Sequence, residues 1–313
     1  MKGKIGIFCP LKNGDLMTAM SVLKYRDLIW PDKKIIWYTT EPYSECLRWQ
    51  DVEIRHFPHG WGYPERCVVE NAKLGPNDPL WEDWSVLLDK KTNRLVQEKK
   101  GLFSLTRDLD DGYFPAPHQV EKRTVDYPNI SRKVFGVNPL WRWHPYLLFS
   151  TGDHDLIETF LKDLPEGKRI MIETFAESGQ SSLSDELVRK ALNLCRTKWG
   201  KCNFLFVSNK YLRNSPDFPA DLLAEPGVYL ANRFSVRQTG LFINHVDLMI
   251  SVSSGISVAA SAWDLRPTPI IQYTGSHMCS TVTLANGIIF PIYTDNNPDS
   301  GKEFLNRLEK MLI

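Results

Sequence analysis

KIGIFCPLKNGDLMTAMSVLKYRDLIWPDKKIIWYT, residues 4–39, carries the pattern that decides the fold. Its two ends, KIGIFC and KIIWYT, are short β-rich runs. Between them Leu16, Met20 and Leu23 recur at the i, i+4, i+7 spacing of one helix face. Strand, helix and strand within about 35 residues make the βαβ unit of a parallel sheet. VEIRHF at 52–57 continues the sheet as a third strand. At the first strand-to-helix junction a carboxylate, Asp15, follows Gly14. In the first turn of a helix it accepts hydrogen bonds from backbone amides that lack a partner, and so serves as a cap. At the end of a strand in an open α/β sheet, the edge where ligands bind, it is equally placed to act as a base. These residues alone leave both roles open.

Outward from this unit the pattern changes. The stretch 58–150 contains HGWGYPERC, GPNDPLWEDW, DDGYFPAPH and NPLWRWHPY, rich in proline, glycine and aromatic residues, and reads as long loops and short helices over the edge of the first domain. Trp61, Tyr63, Trp81, Trp84, Trp141 and Trp143 read as packing of those loops more readily than as a sugar-stacking surface. LKDLPEGKR, residues 161–169, is taken as the linker. Beyond it a second series follows, with strands at 169–173, 203–208, 247–251 and 268–273 and helical runs near 183–199, 235–245 and 255–264. The expectation is an α/β protein of two halves in tandem, an N-terminal domain over 1–160 and a C-terminal one over 161–313.

Thirty-eight basic against 37 acidic residues leave a net charge of +1, so no overall field favours nucleic acid or an anionic membrane. A small polar ligand fits this balance better. The opening MKGKIGIFCP is broken by Pro10 and matches neither a signal peptide nor a spanning helix, which predicts a cytoplasmic protein. Its six cysteines, Cys9, Cys46, Cys67, Cys195, Cys202 and Cys279, are scattered without CxxC or zinc-type spacing, and are expected to be reduced and structural. The histidines form no HExxH, so no metal site is predicted. PLKNGD stands where GxGxxG would follow the first strand, and no GxxxxGK[ST] occurs, which argues against a nicotinamide dehydrogenase and a P-loop kinase.

Two further stretches carry chemistry. In VDLMISVSSGISVAASAWDLRPTPIIQY, residues 246–273, an apolar strand runs into the small turn Ser253-Ser254-Gly255 and then a helix beginning near Ile256. Small residues let a ligand approach the backbone, and amides at a helix start favour an anion such as a diphosphate; an ordinary capped turn reads the same way. In IETFAESGQSSLSDELV, residues 172–188, Glu173 ends a strand and Gly179, Gln180 and Ser181 lie in the loop beyond it, with Ser182 or Ser184 as helix caps.

Together these pieces resemble the bacterial heptosyltransferase family. There too a Gly-Asp turn follows the first strand, as Gly14-Asp15 does here, and a small-residue turn near the C-terminal end precedes a helix, as Ser253-Ser254-Gly255-Ile256 does here. The chain departs from that pattern where the family's aspartate and histidine in the second turn are Ser253 and Val258, and where the second-domain loop that usually carries Pro-Gly and a lysine reads ETFAESGQSS. The resemblance implies the two-domain GT-B glycosyltransferase fold, two Rossmann-like domains with a cleft between them, and metal-independent transfer of a sugar from a nucleotide-sugar donor to a saccharide or glycoconjugate acceptor, with no cofactor and no nucleic acid. It implies Asp15 as general base, Asn13 and Gly14 on the acceptor side, and Ser253, Ser254, Gly255, Ile256, Glu173, Gly179, Gln180 and Ser181 on the donor side. It leaves room for peripheral contact with a membrane that bears a lipid-linked acceptor. A nucleotide-sugar epimerase or hydrolase of the same architecture, and a non-catalytic carbohydrate- or nucleotide-binding protein, are the alternative expectations.

Overall fold

The computed structural model describes residues 3–9, 13–39, 41–56, 88–89, 94–95, 113–115, 135–138, 141–176, 182–207, 220–275, 289–294 and 297–313. The chain divides into two compact units, Met1–Leu148 and Phe149–Ile313. The division thus precedes residue 160, and the expected linker is not one: a helix over Thr151–Lys162 already belongs to the second unit.

In the first unit, β1 (Lys4–Phe8) leads into α1 (Asn13–Met20), a 3-10 turn (Ser21–Tyr25) and the short α2 (Arg26–Ile29), then β2 (Lys34–Thr39), a second 3-10 segment (Glu41–Leu47) and β3 (Glu53–His56). Leu16, Met20 and Leu23 are buried as one stripe, but the α-helix stops at Met20 and the tighter turn carries Leu23. The chain reverses at Trp30-Pro31-Asp32-Lys33, where the Lys33 amide donates to the Trp30 carbonyl at 3.1 Å and Asp32 has φ +64°. Proline at the second position and a left-handed residue at the third suit such a turn, and Asp tolerates that conformation better than most residues. After an antiparallel pair, β4 (Leu88–Asp89) and β5 (Arg94–Leu95), β6 (Tyr113–Pro115) returns to lie beside β1. The sheet order is β3-β2-β1-β6, all parallel.

The aromatic segment at the end of this unit packs as expected. Trp143 is buried and its Nε1–H donates to the Thr18 carbonyl at 3.0 Å, while Trp141 stacks on Tyr25 with ring centroids 4.6 Å apart. Trp61, Tyr63, Trp81 and Trp84 lie outside the described residues.

The second unit contains α3 (Thr151–Lys162), β7 (Lys168–Ile172), α4 (Asp185–Trp199), β8 (Cys202–Phe206), α5 (Ala220–Leu223), β9 (Val228–Leu230), α6 (Val236–Leu241) with a 3-10 turn (Phe242–His245), β10 (Leu248–Val252), α7 (Gly255–Ala259), β11 (Ile270–Thr274), β12 (Ile289–Tyr293) and α8 (Ser300–Met311). Its six strands run parallel in the order β12-β11-β10-β7-β8-β9. Both faces are covered. Ile170, Ile172, Phe204, Phe206, Ile250 and Ile271 pack with Leu192 of α4 and Phe304 of α8, whereas Met171, Leu205, Met249 and Ile270 pack on the other face with Ile157, Leu241 and Phe242. Such strands read as continuous apolar runs because each successive side chain enters one core or the other. Four of the six cysteines, Cys9, Cys46, Cys195 and Cys202, are described; they are buried free thiols, as expected, and burial pushes Cys195 up to about 12. Among the described residues no helix is long and apolar enough to cross a membrane.

Two helices of the second core meet through a glycine. A Cβ on Gly240 would lie 2.7 Å from the Ala259 Cβ and 2.9 Å from its carbonyl carbon, inside any normal contact. Gly240→Ala is therefore expected to cost about 1–3 kcal/mol by forcing α6 from α7. Urea unfolding checks this, and a loss below about 0.5 kcal/mol would show that the helices separate freely.

Candidate functional site

In an open parallel sheet, ligands bind beyond the carboxyl ends of the strands where the strand order reverses. Each unit has one such point. In the second, the chain builds β7, β8 and β9 outward in one direction, then returns to place β10 on the other side of β7. Glu173 directly follows β7, and Ser253 and Ser254 directly follow β10.

These residues form one hydrogen-bonded cluster. The Glu173 carboxyl is 2% exposed; its Oε2 lies 2.9 Å from the Ser251 Oγ and 2.6 Å from the Ser254 Oγ. Burial pushes its pKa up to about 8, against the opposing pull of the two hydroxyls. Ser254 is the N-cap of α7: its Oγ accepts from the Ile256 and Ser257 amides, at 3.1 and 3.3 Å, and its own amide donates to the Ser257 Oγ. Two of the amides expected to face an anion are thus occupied by the cap, so the capping reading of this turn holds in the structure. Behind the turn, Gln272 of β11 donates through Nε2 to the Ser257 Oγ at 3.0 Å. Ser253 and Ile256 are buried, Ser254 and Gly255 partly so. Val258, which stands where the resemblance places a histidine, is buried as well. Gly179, Gln180 and Ser181 lie outside the described residues. Ser184 caps α4 by accepting from the Leu187 amide, one of the two capping roles read from the sequence.

Sequence reasoning missed Ser251, Ser257 and Gln272 as members of this cluster. Ser251 and Gln272 were signalled as polar residues inside apolar strand runs, Ser257 only as a serine in the small-residue helix that follows β10, and all three are completely buried.

The first unit has its reversal between β1 and β6. The chain steps from β1 to β2 to β3 on one side, and β6 closes the other. Beyond β1 begins α1, whose first three residues are Asn13, Gly14 and Asp15, all partly buried. The helix begins before Asp15, so this carboxylate sits in the first turn rather than at the cap position, near the positive end of the helix. Asn13 is fixed by the Cys46 thiol, whose Sγ lies 3.3 Å from its Oδ1, and the Thr18 hydroxyl donates to the Gly14 carbonyl at 2.8 Å.

A second buried polar group in the C-terminal unit is of another kind. Arg237 of α6 is fully buried and grips Asp153 of α3 with two nitrogens, each 2.9 Å from one carboxylate oxygen. Gln238 Nε2 and the Ser150 amide also donate to Asp153. Burial works against the Asp153 carboxylate, but the Arg237, Gln238 and Ser150 hydrogen bonds outweigh it and hold its pKa well below the usual carboxylate range. This pair ties α6 to α3.

No protein-family model matches the chain, and no curated protein matches it in sequence. Solved structures do. A glycosyl transferase family 9 protein from Veillonella parvula aligns over all of this chain and 98% of its own, with a TM-score of 0.62 at 10% identity. The E. coli ADP-heptose lipopolysaccharide heptosyltransferase II aligns over 100% and 98% with a TM-score of 0.63 at 16% identity. An E. coli heptosyltransferase solved with ADP covers 97% and 99% with a TM-score of 0.54 at 15% identity. At such identities the likeness speaks for the path of the chain alone, and on that ground the protein has the two-domain α/β fold, GT-B, of these glycosyltransferases.

Proposed function

We propose that the protein is a glycosyltransferase that moves a sugar from a nucleotide-sugar donor to a hydroxyl of a saccharide or glycoconjugate acceptor, without a metal ion taking part. The observation that carries this reading is the placement of chemistry-bearing residues at both strand-order reversals of a fold shared, over its whole length, with glycosyltransferases. The C-terminal unit holds the donor through the Ser253-Ser254-Gly255-Ile256 turn, which Glu173 supports through Ser254, and through the Gly179-Gln180-Ser181 loop. The N-terminal unit supplies Asn13 and Gly14 on the acceptor side and Asp15 as general base.

In chemical terms, Asp15 accepts the proton of the acceptor hydroxyl as its oxygen bonds to the anomeric carbon of the donor sugar. The bond from that carbon to the nucleoside diphosphate breaks, and the diphosphate leaves as an anion. Donors fixed in advance around the departing charge lower the barrier because they need no reorganisation when it develops. The reaction takes place in the cytoplasm.

A thermal-shift screen with ADP, UDP and GDP, and with their sugar derivatives, tests the reading. A diphosphate at about 100 times its Kd is expected to stabilise the folded protein by about 2.7 kcal/mol, because it binds only the folded state. Turnover with the stabilising sugar nucleotide should create a new glycosidic bond and continue in EDTA. If no nucleoside diphosphate raises the melting temperature, the reading fails. Release of free or isomerised sugar with every acceptor tried would instead identify a hydrolase or an epimerase.

A further inference from the structure

The hydroxyls around Glu173 can be counted. Ser254 Oγ accepts from two amides, so its single hydrogen must go elsewhere, and the Glu173 Oε2 at 2.6 Å is its partner. Ser251 Oγ lies 2.8 Å from the Val252 carbonyl and 2.9 Å from the same Glu173 oxygen, yet it has one hydrogen to give. The carbonyl is acceptor-only. All three contacts are therefore made at once when the Ser251 hydrogen goes to Val252 and a hydrogen on Glu173 goes to Ser251. An ionised Glu173 forces a choice: Ser251 must turn to the carboxylate and leave the Val252 carbonyl, or stay and leave a buried negative charge with one hydroxyl. An unmade bond of either kind in a buried setting is costly.

Among the described residues the charge finds no other hydrogen-bonding partner. The groups that meet the Glu173 carboxyl there are the hydroxyls of Ser251 from β10 and Ser254 from the cap of α7. The Glu173 amide itself donates to the Ile250 carbonyl at 2.9 Å. The charged residues of these strands, Lys168, Arg169 and Asp247, meet one another at the opposite end of β7, where Lys168 Nζ is 2.8 Å from Asp247 and the Arg169 amide donates to it at 3.0 Å. Asp185 and Glu186 of α4 are exposed, and Glu186 pairs with Lys190.

We propose that Glu173 is a neutral carboxylic acid at physiological pH and acts as a positioning residue, holding Ser254 in its cap and with it the turn that follows β10. It does not touch the donor. Resting on the donor assignment above, it sets the affinity of that turn through Ser254, and loss of its proton in mildly alkaline solution draws Ser251 off the Val252 carbonyl, which loosens the chain entering the turn and weakens nucleotide binding.

The first test needs no ligand. Infrared spectra of the parent protein at pH 7 should contain the C=O stretch of a protonated carboxyl, lost above pH 9 and missing from Glu173→Gln. The glutamine variant keeps an oxygen able to accept from Ser254 but cannot ionise. The sign of the stability effect follows from linkage. The unfolded chain ionises near the ordinary 4.5 while the folded chain keeps its proton to about 8, so between those values the folded state holds one proton more. The folding constant of the parent, relative to Glu173→Gln, should therefore fall about tenfold per pH unit between about 5 and 8, and then level off. Calorimetry with whichever of ADP, UDP or GDP stabilises the parent should show affinity declining above pH 8 in the parent and flat in Glu173→Gln.

A parent protein without the protonated-carboxyl band at pH 7 overturns the proposal, whether or not Glu173→Gln folds. Identical pH profiles of affinity in parent and variant overturn the positioning role. If no diphosphate binds at any pH, the donor assignment falls, and with it the influence on affinity, while the infrared band alone decides the proton on Glu173.

Discussion

Asp15→Asn is expected to lower turnover by about 10² to 10⁴, the usual contribution of a positioned base, while leaving nucleotide affinity near that of the parent. The reason is positional. Asp15 lies in the first turn of α1, beyond the carboxyl end of β1, where the order of the first sheet reverses. Asparagine keeps the size and the hydrogen-bonding oxygen of aspartate but not its basicity. It also gives up a negative charge near the helix start, worth about 0.3–1 kcal/mol, so a fall in melting temperature of a few degrees is part of the expectation. A purely capping Asp15 gives the reverse pattern: near-normal turnover in Asp15→Asn and a stability loss of about 0.5–2 kcal/mol in Asp15→Ala. Steady-state kinetics on folded protein separates the two. Turnover within about threefold of the parent removes Asp15 from the chemistry.

The largest stability effect is expected from the buried ion pair of the second unit. Arg237→Met should destabilise the protein by about 3–5 kcal/mol, since it strands the Asp153 carboxylate in the core. The remaining donors, Gln238 and Ser150, satisfy its hydrogen bonding but not its charge. Removing both charges is a different experiment. Asp153→Leu combined with Arg237→Met should recover much of the loss, because two matched apolar side chains avoid the desolvation cost of the pair. The acid limb provides a second readout. The folded-state pKa of Asp153 is depressed, so its stabilisation is present above the ordinary carboxylate value and is lost as the pH falls below it. That limb should be shallower in Arg237→Met than in the parent. Urea unfolding of the four proteins across pH gives both quantities, and additive single losses would show that the two side chains act independently.

Most strands were legible because burial on both faces writes them as unbroken apolar runs. β1, β2, β7, β8, β10 and β11 all fall within a residue or two of the stretches expected, and so does β3, whose side chains instead alternate between partly buried and exposed. The strands that escaped lack that signal. β9 has three residues, and β12 contains Pro291, tolerable because β12 is an edge strand with only one neighbour. α3 was hidden by its polarity: Ile157 and Leu161 are its buried apolar side chains, and its start was announced only by the Ser150–Asp153 capping box. α8 shows Phe304 and Leu308 one turn apart, a pattern that was present but not read. Among the candidate residues, the Gly14-Asp15 and Ser253-Gly255 turns were found from their junctions. The wiring among Glu173, Ser251 and Ser254 was not, because strand neighbours 78 residues apart leave no trace in local spacing.

That separation also governs when the cluster comes into being. β7, β8 and β9 pair with partners close in sequence, but β10 must return across all of them to place Leu248 beside Ile170. Closing so long a loop is entropically slow, and contacts of high sequence separation dominate folding times. During synthesis Glu173 therefore leaves the ribosome long before Ser251 and Ser254, and spends that interval as a solvated, ionised side chain. It takes up a proton only when β10 docks, so completion of the second sheet should be a late, proton-consuming step, visible as uptake from a weakly buffered solution at neutral pH as the chain refolds.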